Sequence, residues 1–305
     1  MKLPDVRHLL GFDHPHHPTG PARAPPTIEA SPLVLSPLSA GHAEPDNDGR
    51  LWSPARLEIV EALWGRGFQF PDGESETLRL VTPLGLSAAS SLLIVGAGSG
   101  GPPYCVARQM GTWVTGYESD PCLRDTAAER NAHSKMAKRV RIAPWDPAAP
   151  SFERGYYHHC LALEPVREGQ VEPIFAALAQ GLKPLGHLVL LETVADKPLN
   201  PADPDVAAWQ RLDGRRIDCL PAELTITRAL GRLGFDVRIV EDVTRRHIRR
   251  TVEGWREAVS GMEHVKPTHQ EAVQLVSEAE LWLLRIRLLR CRALRMVRWH
   301  AIGTA

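Results

Sequence analysis

Between Ser91 and Glu118 the hydrophobic pattern changes period twice. An unbroken apolar run, Leu92 to Val95, reads as a buried strand, glycines follow at 96, 98, 100 and 101, Pro103 to Gln109 suits a short helix, and Thr112 to Tyr117 forms a second strand that delivers Glu118 at its exit. Upstream, Ser53 and Pro54 are a helix start, with apolar positions at Ile59, Val60, Leu63 and Trp64 before Gly65 stops it. Pro71-Asp72-Gly73 reads as a turn and Thr77 to Leu86 as a connector. Downstream, Pro121 to Lys138 predicts a helix buried through Leu123, Ala127, Ala128 and Ala132, and Val140 to Ile142 a third strand. Tyr156 to Leu163 is a fourth strand, Gln170 to Leu182 a helix, residues 181 to 186 a turn, and His187 to Thr193 a fifth strand. Residues 198 to 221 open into a loop with a helical piece around Val206 to Leu212, and Ala222 to Leu233 returns to helix. Pro267 to Arg290 carries an apolar stripe at Ala272, Val276, Ala279, Leu283 and Ile286, and Ala293 to Ile302 alternates as a half-buried closing strand. Strands alternating with helices define an α/β class.

Residues 1 to 50 break this pattern. They hold nine of the 26 prolines and five of the 13 histidines and have little apolar periodicity, so they read as a disordered tail, with 51 to 305 as the folded domain. The Asp13-His14-Pro15-His16-His17 run lacks a regular ligand geometry and reads as solvated, and no metal site is expected. Lys plus Arg and Asp plus Glu balance at 36 each, which argues against a general polyanion-binding protein. Cys105, Cys122, Cys160, Cys219 and Cys291 form no paired motif and read as reduced thiols. With no charged-then-apolar leader and no run of 18 apolar residues, a cytoplasmic protein without a transmembrane segment is expected. Arg285, Arg287, Arg290, Arg292, Arg295 and Arg298 make the C-terminal end locally basic. A solvated face is expected there, with binding of an anionic lipid or phosphate as the sharper alternative.

The glycine turn carries the chemistry. Four glycines in six residues allow a tight turn and close approach of a ligand to the backbone, and an acid about 20 residues on sits where a ribose diol would lie. Gly96, Gly98 and Gly101 satisfy the dinucleotide spacing, while Gly-Ala-Gly-Ser-Gly-Gly followed by Glu118 suits S-adenosyl-L-methionine equally, and the glycines by themselves do not choose. Past the third strand, Asp146 is a candidate partner for an adenine amino group and Trp145 or Pro144 for the purine face.

Further motifs lean one way. The run I-F-A-A-L-A-Q-G-L-K-P-L-G-H-L-V-L-L-E at 174 to 192 resembles the helix, turn and fifth strand of class I S-adenosylmethionine-dependent methyltransferases. Gly234-Phe235-Asp236-Val237 through Asp242-Val243-Thr244 resembles a strand of the small-molecule and lipid methyltransferases within that superfamily. The resemblance implies a doubly wound, seven-stranded, mostly parallel sheet of the Rossmann-like methyltransferase type, its last strand antiparallel, with helices on both faces. It also implies cofactor contacts from Gly96, Gly98, Gly100 and Glu118, backbone groups of Ala97 and Ser99 toward the methionine part, and Asp146 at the adenine. Members usually carry an acid at the position of Val95 and an Asp near the start of the fourth strand, where this chain has Tyr156 and Tyr157. Segments 198 to 221 and 244 to 292 read as substrate-side or helical insertions.

Methyl transfer depends mainly on alignment and desolvation, and an acceptor that holds its proton at pH 7 also needs a base. His158, His159 and Glu164, expected at and after the carboxyl end of the fourth strand, are the candidate bases, and Trp209 and Asp242 the candidate substrate contacts. The expected function is methyl transfer from S-adenosyl-L-methionine to a small-molecule or lipid-like substrate. The expected partners exclude nucleic acid, because the charge is balanced and no base-flipping signature occurs; the sequence is compatible with a homodimer. The alternatives are a catalytically degenerate scaffold of the same fold and an NAD(P)-dependent oxidoreductase.

Overall fold

The computed structural model describes residues 51–167, 169–261 and 267–304, so the readings of the first 50 residues lie outside the described part. Ser53 accepts the Arg56 N–H at 3.2 Å and starts α1 (Pro54–Trp64), which stops at Gly65 with φ +95°. The expected connector is a helix, α2 (Gly73–Val81), followed by a 3-10 turn (Thr82–Leu84). It is helical because Thr77, Leu80, Val81 and Leu84 fall on one buried side and two acids occupy its first turn.

The sheet begins with β1 (Ser91–Val95), whose last four residues are fully buried, as a central parallel strand requires. Then come α3 (Gly101–Met110), β2 (Trp113–Glu118), α4 (Pro121–Ala132) and β3 (Val140–Pro144). The helix expected to reach Lys138 ends six residues earlier, and the Asn131 side chain donates to the Val140 carbonyl at 2.8 Å, tying the helix end to the next strand. There follow β4 (Tyr157–Leu163), α5 (Val171–Gly181), β5 (Leu182–Val194), α6 (Pro204–Asp213), a 3-10 turn (Ile217–Cys219) and α7 (Glu223–Arg232). The chain closes with β6 (Phe235–Asp242), α8 (Thr244–Gly261), α9 (His269–Arg290) and β7 (Arg295–Gly303). The turn expected before β5 is absorbed into the strand as an irregularity: Tyr157 pairs with Leu182, the next register pair is His159 with His187, and Leu185 between them takes φ +61°.

Seven strands run in the order β3-β2-β1-β4-β5-β7-β6, with β7 antiparallel to both neighbours. Ile174, Phe175 and Leu178 of α5 and Ile226 and Leu230 of α7 cover one face against Leu93, Val95, Cys160, Leu188 and Leu190. Because side chains alternate along a strand, Leu92 and Ile94 point to the other face, where α3 packs on β2 and β3.

The C-terminal end departs from expectation. β7 lies between two strands and is buried from Met296 to Ala301, so it is not half-exposed. Arg298 and Arg285 are buried and ion-paired, to Glu241 at 2.8 Å and to Glu164 at 2.6 Å, while Arg295 bonds Asp196 and Glu223 and Arg287 bonds Asp205. Arg285, Arg295 and Arg298 are thus drawn into ion pairs, while Arg287, Arg290 and Arg292 stay on the exposed face that the charge run predicts. The stripe on α9 is also too narrow. Val276 is exposed, and from Glu278 onward only Glu280, Arg287 and Arg290 face solvent, because α1 packs on this helix and α6 packs on it through Trp209. None of the five cysteines forms a disulfide. Among the described residues no helix is long and apolar enough to cross a membrane, and no group of three or more His, Cys, Asp or Glu is arranged to hold a metal ion.

Candidate functional site

A cavity opens at the carboxyl ends of the parallel strands, where the strand order reverses between β1 and β4. Its floor comes from Gly96 and Gly98 after β1, Glu118 at the end of β2, Trp145 after β3, and Leu163 and Glu164 at the end of β4. Its roof is the stretch from Leu51 to Pro71 together with α8 and α9.

The glycine turn has φ +78°, +58° and +99° at Gly96, Gly98 and Gly100, conformations open to glycine at no steric cost. Glu118 is buried, and its carboxylate accepts the N–H groups of Gly98 at 2.8 Å and Asp120 at 3.0 Å, one on each oxygen. Each oxygen keeps a lone pair for a further donor. Burial pushes this carboxyl above its ordinary value, against the pull of the backbone N–H groups of Asp120, Gly98 and Ser119. Trp145, Pro147 and Leu123 form an apolar wall beside it, and the Trp145 indole N–H is buried without a partner.

The first turn of α3 is closed. Gly101 N–H donates to the Gly67 carbonyl at 3.0 Å, and a Cβ on either glycine would meet the other's backbone at 2.6 to 2.7 Å. A dinucleotide pyrophosphate rests on this kind of helix N-terminus. Here the chain itself occupies it.

The expected site residues separate. Gly96, Gly98, Glu118, Trp145 and Glu164 line the cavity. Ala97 is buried behind the turn with its Cβ toward Gly116, Ser99 turns its hydroxyl to Glu61 at 2.5 Å, and Gly100 backs onto Ala127. Asp146 is exposed and accepts the Ala148 N–H at 2.8 Å, so it ties its own turn and does not reach the cavity. His158 and His159 stand at the amino-terminal start of β4, the opposite edge of the sheet from the cavity, which corrects their expected position at its carboxyl end. His158 contacts Ser91 and Lys183, and His159 lies against His187. Trp209 is fully buried against Leu281, Leu284 and Leu288, and Asp242 accepts the Thr244 N–H at 2.9 Å at the start of α8; neither lines the cavity. Tyr157 is buried with its hydroxyl 3.3 Å from that of Tyr117, and Val95 is a core residue, so neither position presents an acid.

Glu164 is in the cavity wall but is surrounded by three arginines. Oε1 accepts from the Thr193 hydroxyl and from Arg285 Nη2, and Oε2 lies 3.3 Å from Arg215 and 3.8 Å from Arg167. Burial raises its pKa, yet Arg285, Arg215 and Arg167 outweigh it and hold the carboxyl well below the usual range, which makes it a poor base. The structure adds residues that periodicity did not single out: Gln69, Phe70 and Trp52 from the roof, and Arg246, His247, Trp282 and Arg285 from α8 and α9. Trp282 donates to Glu278 at 2.9 Å, and Arg56 bonds the same carboxylate at 3.1 Å. His247 Nε2 is buried without a partner. Burial, then the positive charges of Arg285 and Arg246, depress its pKa to about 3 against the opposing pull of Glu164.

Burial and neighbouring histidines likewise bring His159 to about 4. Both are thus neutral in the fold, whereas unfolded chains take up protons below about pH 6.5. Stability should therefore fall as pH drops from about 6.5 toward 4. Urea midpoints at pH 7.5 and pH 5 should differ less in a His159→Phe, His247→Phe double variant than in the parent; an unchanged difference would refute this origin of acid sensitivity.

No protein-family profile matches the chain, and no curated protein matches it. Among solved structures, phosphoethanolamine N-methyltransferase 2 of Haemonchus contortus in complex with S-adenosyl-L-methionine is similar, with a TM-score of 0.72 and 19% identity over 82% of this chain and 57% of that one. The [4+2]-cyclase SpnF gives 0.62 and 17% over 83% and 93%. Geranyl diphosphate C-methyltransferase of Streptomyces coelicolor in complex with Mg2+, geranyl diphosphate and S-adenosyl-L-homocysteine gives 0.58 and 16% over 75% and 80%. At these identities the likeness shows the fold: the chain has the Rossmann-like seven-stranded architecture of S-adenosylmethionine-dependent methyltransferases, which a cyclase shares. It spans 57% of the length of the phosphoethanolamine methyltransferase.

Proposed function

We propose that the protein is an S-adenosyl-L-methionine-dependent methyltransferase acting on a small-molecule or lipid-like substrate. The carrying observation is a buried carboxylate with free lone pairs beside a glycine turn whose following helix is already closed by Gly67. That combination supports a nucleoside held by its sugar without a pyrophosphate, and so favours S-adenosylmethionine over NAD.

The residues fit the group. Glu118 would accept the ribose hydroxyls, Gly96 and Gly98 line the cavity beside it, and Trp145, Pro147 and Leu123 offer a flat apolar wall to a purine. The cofactor would supply a methyl group made electrophilic by its sulfonium. The chain's part is alignment and exclusion of water, for which the roof of α1, α8 and α9 is suited. With Glu164 held by three arginines, His247, neutral and lining the same cavity, is the candidate contact for an acceptor's N–H or O–H. Trp52, Phe70 and Trp282 suit an apolar portion of the substrate.

Calorimetric titration of the full chain with S-adenosylmethionine, S-adenosylhomocysteine and NAD tests this reading. Micromolar binding of the first two without NAD is expected; NAD binding by itself would overturn it.

A further inference from the structure

Resting on that reading, we propose that Gln69, carried in by the segment between α1 and α2, binds the amino-acid end of the cofactor. Gln69 lines the cavity and its amide lies directly over Gly98, where an added Cβ would meet Oε1 at 1.7 Å. Glu118 reaches the same glycine through its N–H. The two side chains therefore flank one residue of the turn, one rising from the sheet and the other descending from the helical roof.

The Gln69 amide is held but not used up. Nε2 donates to the Ser99 hydroxyl at 2.8 Å, that hydroxyl donates to Glu61 at 2.5 Å, and Arg130 grips both oxygens of Glu61. Oε1 receives one long contact, the Ser99 N–H at 3.3 Å. One Nε2 hydrogen and a lone pair of Oε1 remain, so a single group can donate to a carboxylate and accept from an ammonium. An amino-acid zwitterion asks for that pair.

Charged side chains such as Arg56, Arg246 and Arg285 line other parts of the cavity, whereas Gln69 is placed over Gly98 itself. Beyond Glu118 on the Trp145, Leu123 and Pro147 side the wall is apolar and suits the purine. Val95 is a fully buried core residue with no polar side-chain atom, and the first N–H of α3 is taken by Gly67. The roof thus supplies a polar contact that the end of β1 does not, on a segment already hydrogen-bonded to the turn through Gly67 and Gln69.

The test compares two ligands on the full chain by calorimetry: S-adenosylhomocysteine, and 5′-methylthioadenosine, which shares the nucleoside and thioether but lacks the amino-acid end. Gln69→Ala should weaken S-adenosylhomocysteine by about tenfold or more, the loss of hydrogen bonds to charged groups, and leave methylthioadenosine within about twofold. Retained methylthioadenosine binding also reports an intact fold. Equal weakening of both ligands, or weakening of neither, would overturn the inference while leaving the methyltransferase reading standing. A parent chain that binds neither ligand would overturn that reading and the inference together.

Discussion

Glu118→Ala should abolish nucleoside binding. Two charge-assisted hydrogen bonds to a ribose diol are worth about 1.5 kcal/mol or more each, so S-adenosylhomocysteine affinity should fall roughly 100-fold or beyond, and methylthioadenosine should weaken in parallel because it carries the same sugar. That parallel loss distinguishes Glu118 from Gln69. The pH dependence has a definite sign. The ionised carboxylate is the acceptor, and burial raises its pKa above the ordinary value of 4.5, so affinity should decline on acidification earlier than it would for an exposed carboxylate. Titrations at pH 7.5, 6 and 5 measure both effects. An unchanged affinity in Glu118→Ala would remove the ribose contact, and with it the reason for reading the turn as a nucleoside site.

Arg215→Leu should produce the largest loss of stability. Arg215 is fully buried, with Nη1 2.8 Å from Glu192, Nη2 3.3 Å from Glu164 and Nε 3.6 Å from Asp213. Glu192 is itself fully buried and also accepts the Val166 and Thr193 N–H groups, so the arginine knots the ends of β4 and β5 to the segment after α6. Removing one partner of a buried ionic cluster leaves the others uncompensated, at a cost of about 3–5 kcal/mol. For a domain of this size that is roughly a 10 °C drop in Tm. A second change, Glu192→Leu, should recover part of the loss by deleting the stranded charge, a coupling that a double-mutant cycle reads directly. A Tm within two or three degrees of the parent for the single variant would contradict the account.

The strands that build the sheet are legible because each is a short, nearly continuous apolar run bounded by glycine, proline or charge, and burial on both faces leaves such runs no other use. The glycine turn with Glu118 is legible for a related reason: its chemistry is local, and backbone conformation and acid spacing are both written within one strand-helix-strand unit. The histidines misled because strand direction decides which end of a strand meets the cavity, and the pair stands at the start of β4. Arg285, Arg295 and Arg298 misled because a charge run reads the same whether its partners are water or carboxylates brought from elsewhere: Glu164 and Arg285 are 121 positions apart.

The sequence by itself determined the succession of the buried strands and the place of the acid at the exit of β2, since these follow from side-chain period, turn chemistry and spacing over a few tens of residues. Tertiary structure alone decided which side chains close over that acid. Gln69, His247, Trp282 and Arg285 come from three segments far apart in the chain, and only the docking of α1, α8 and α9 on the carboxyl end of the sheet brings them to one cavity. It also decided that the helix after the glycines is closed by Gly67, because a backbone contact between positions 67 and 101 leaves no periodic trace in the residues between them.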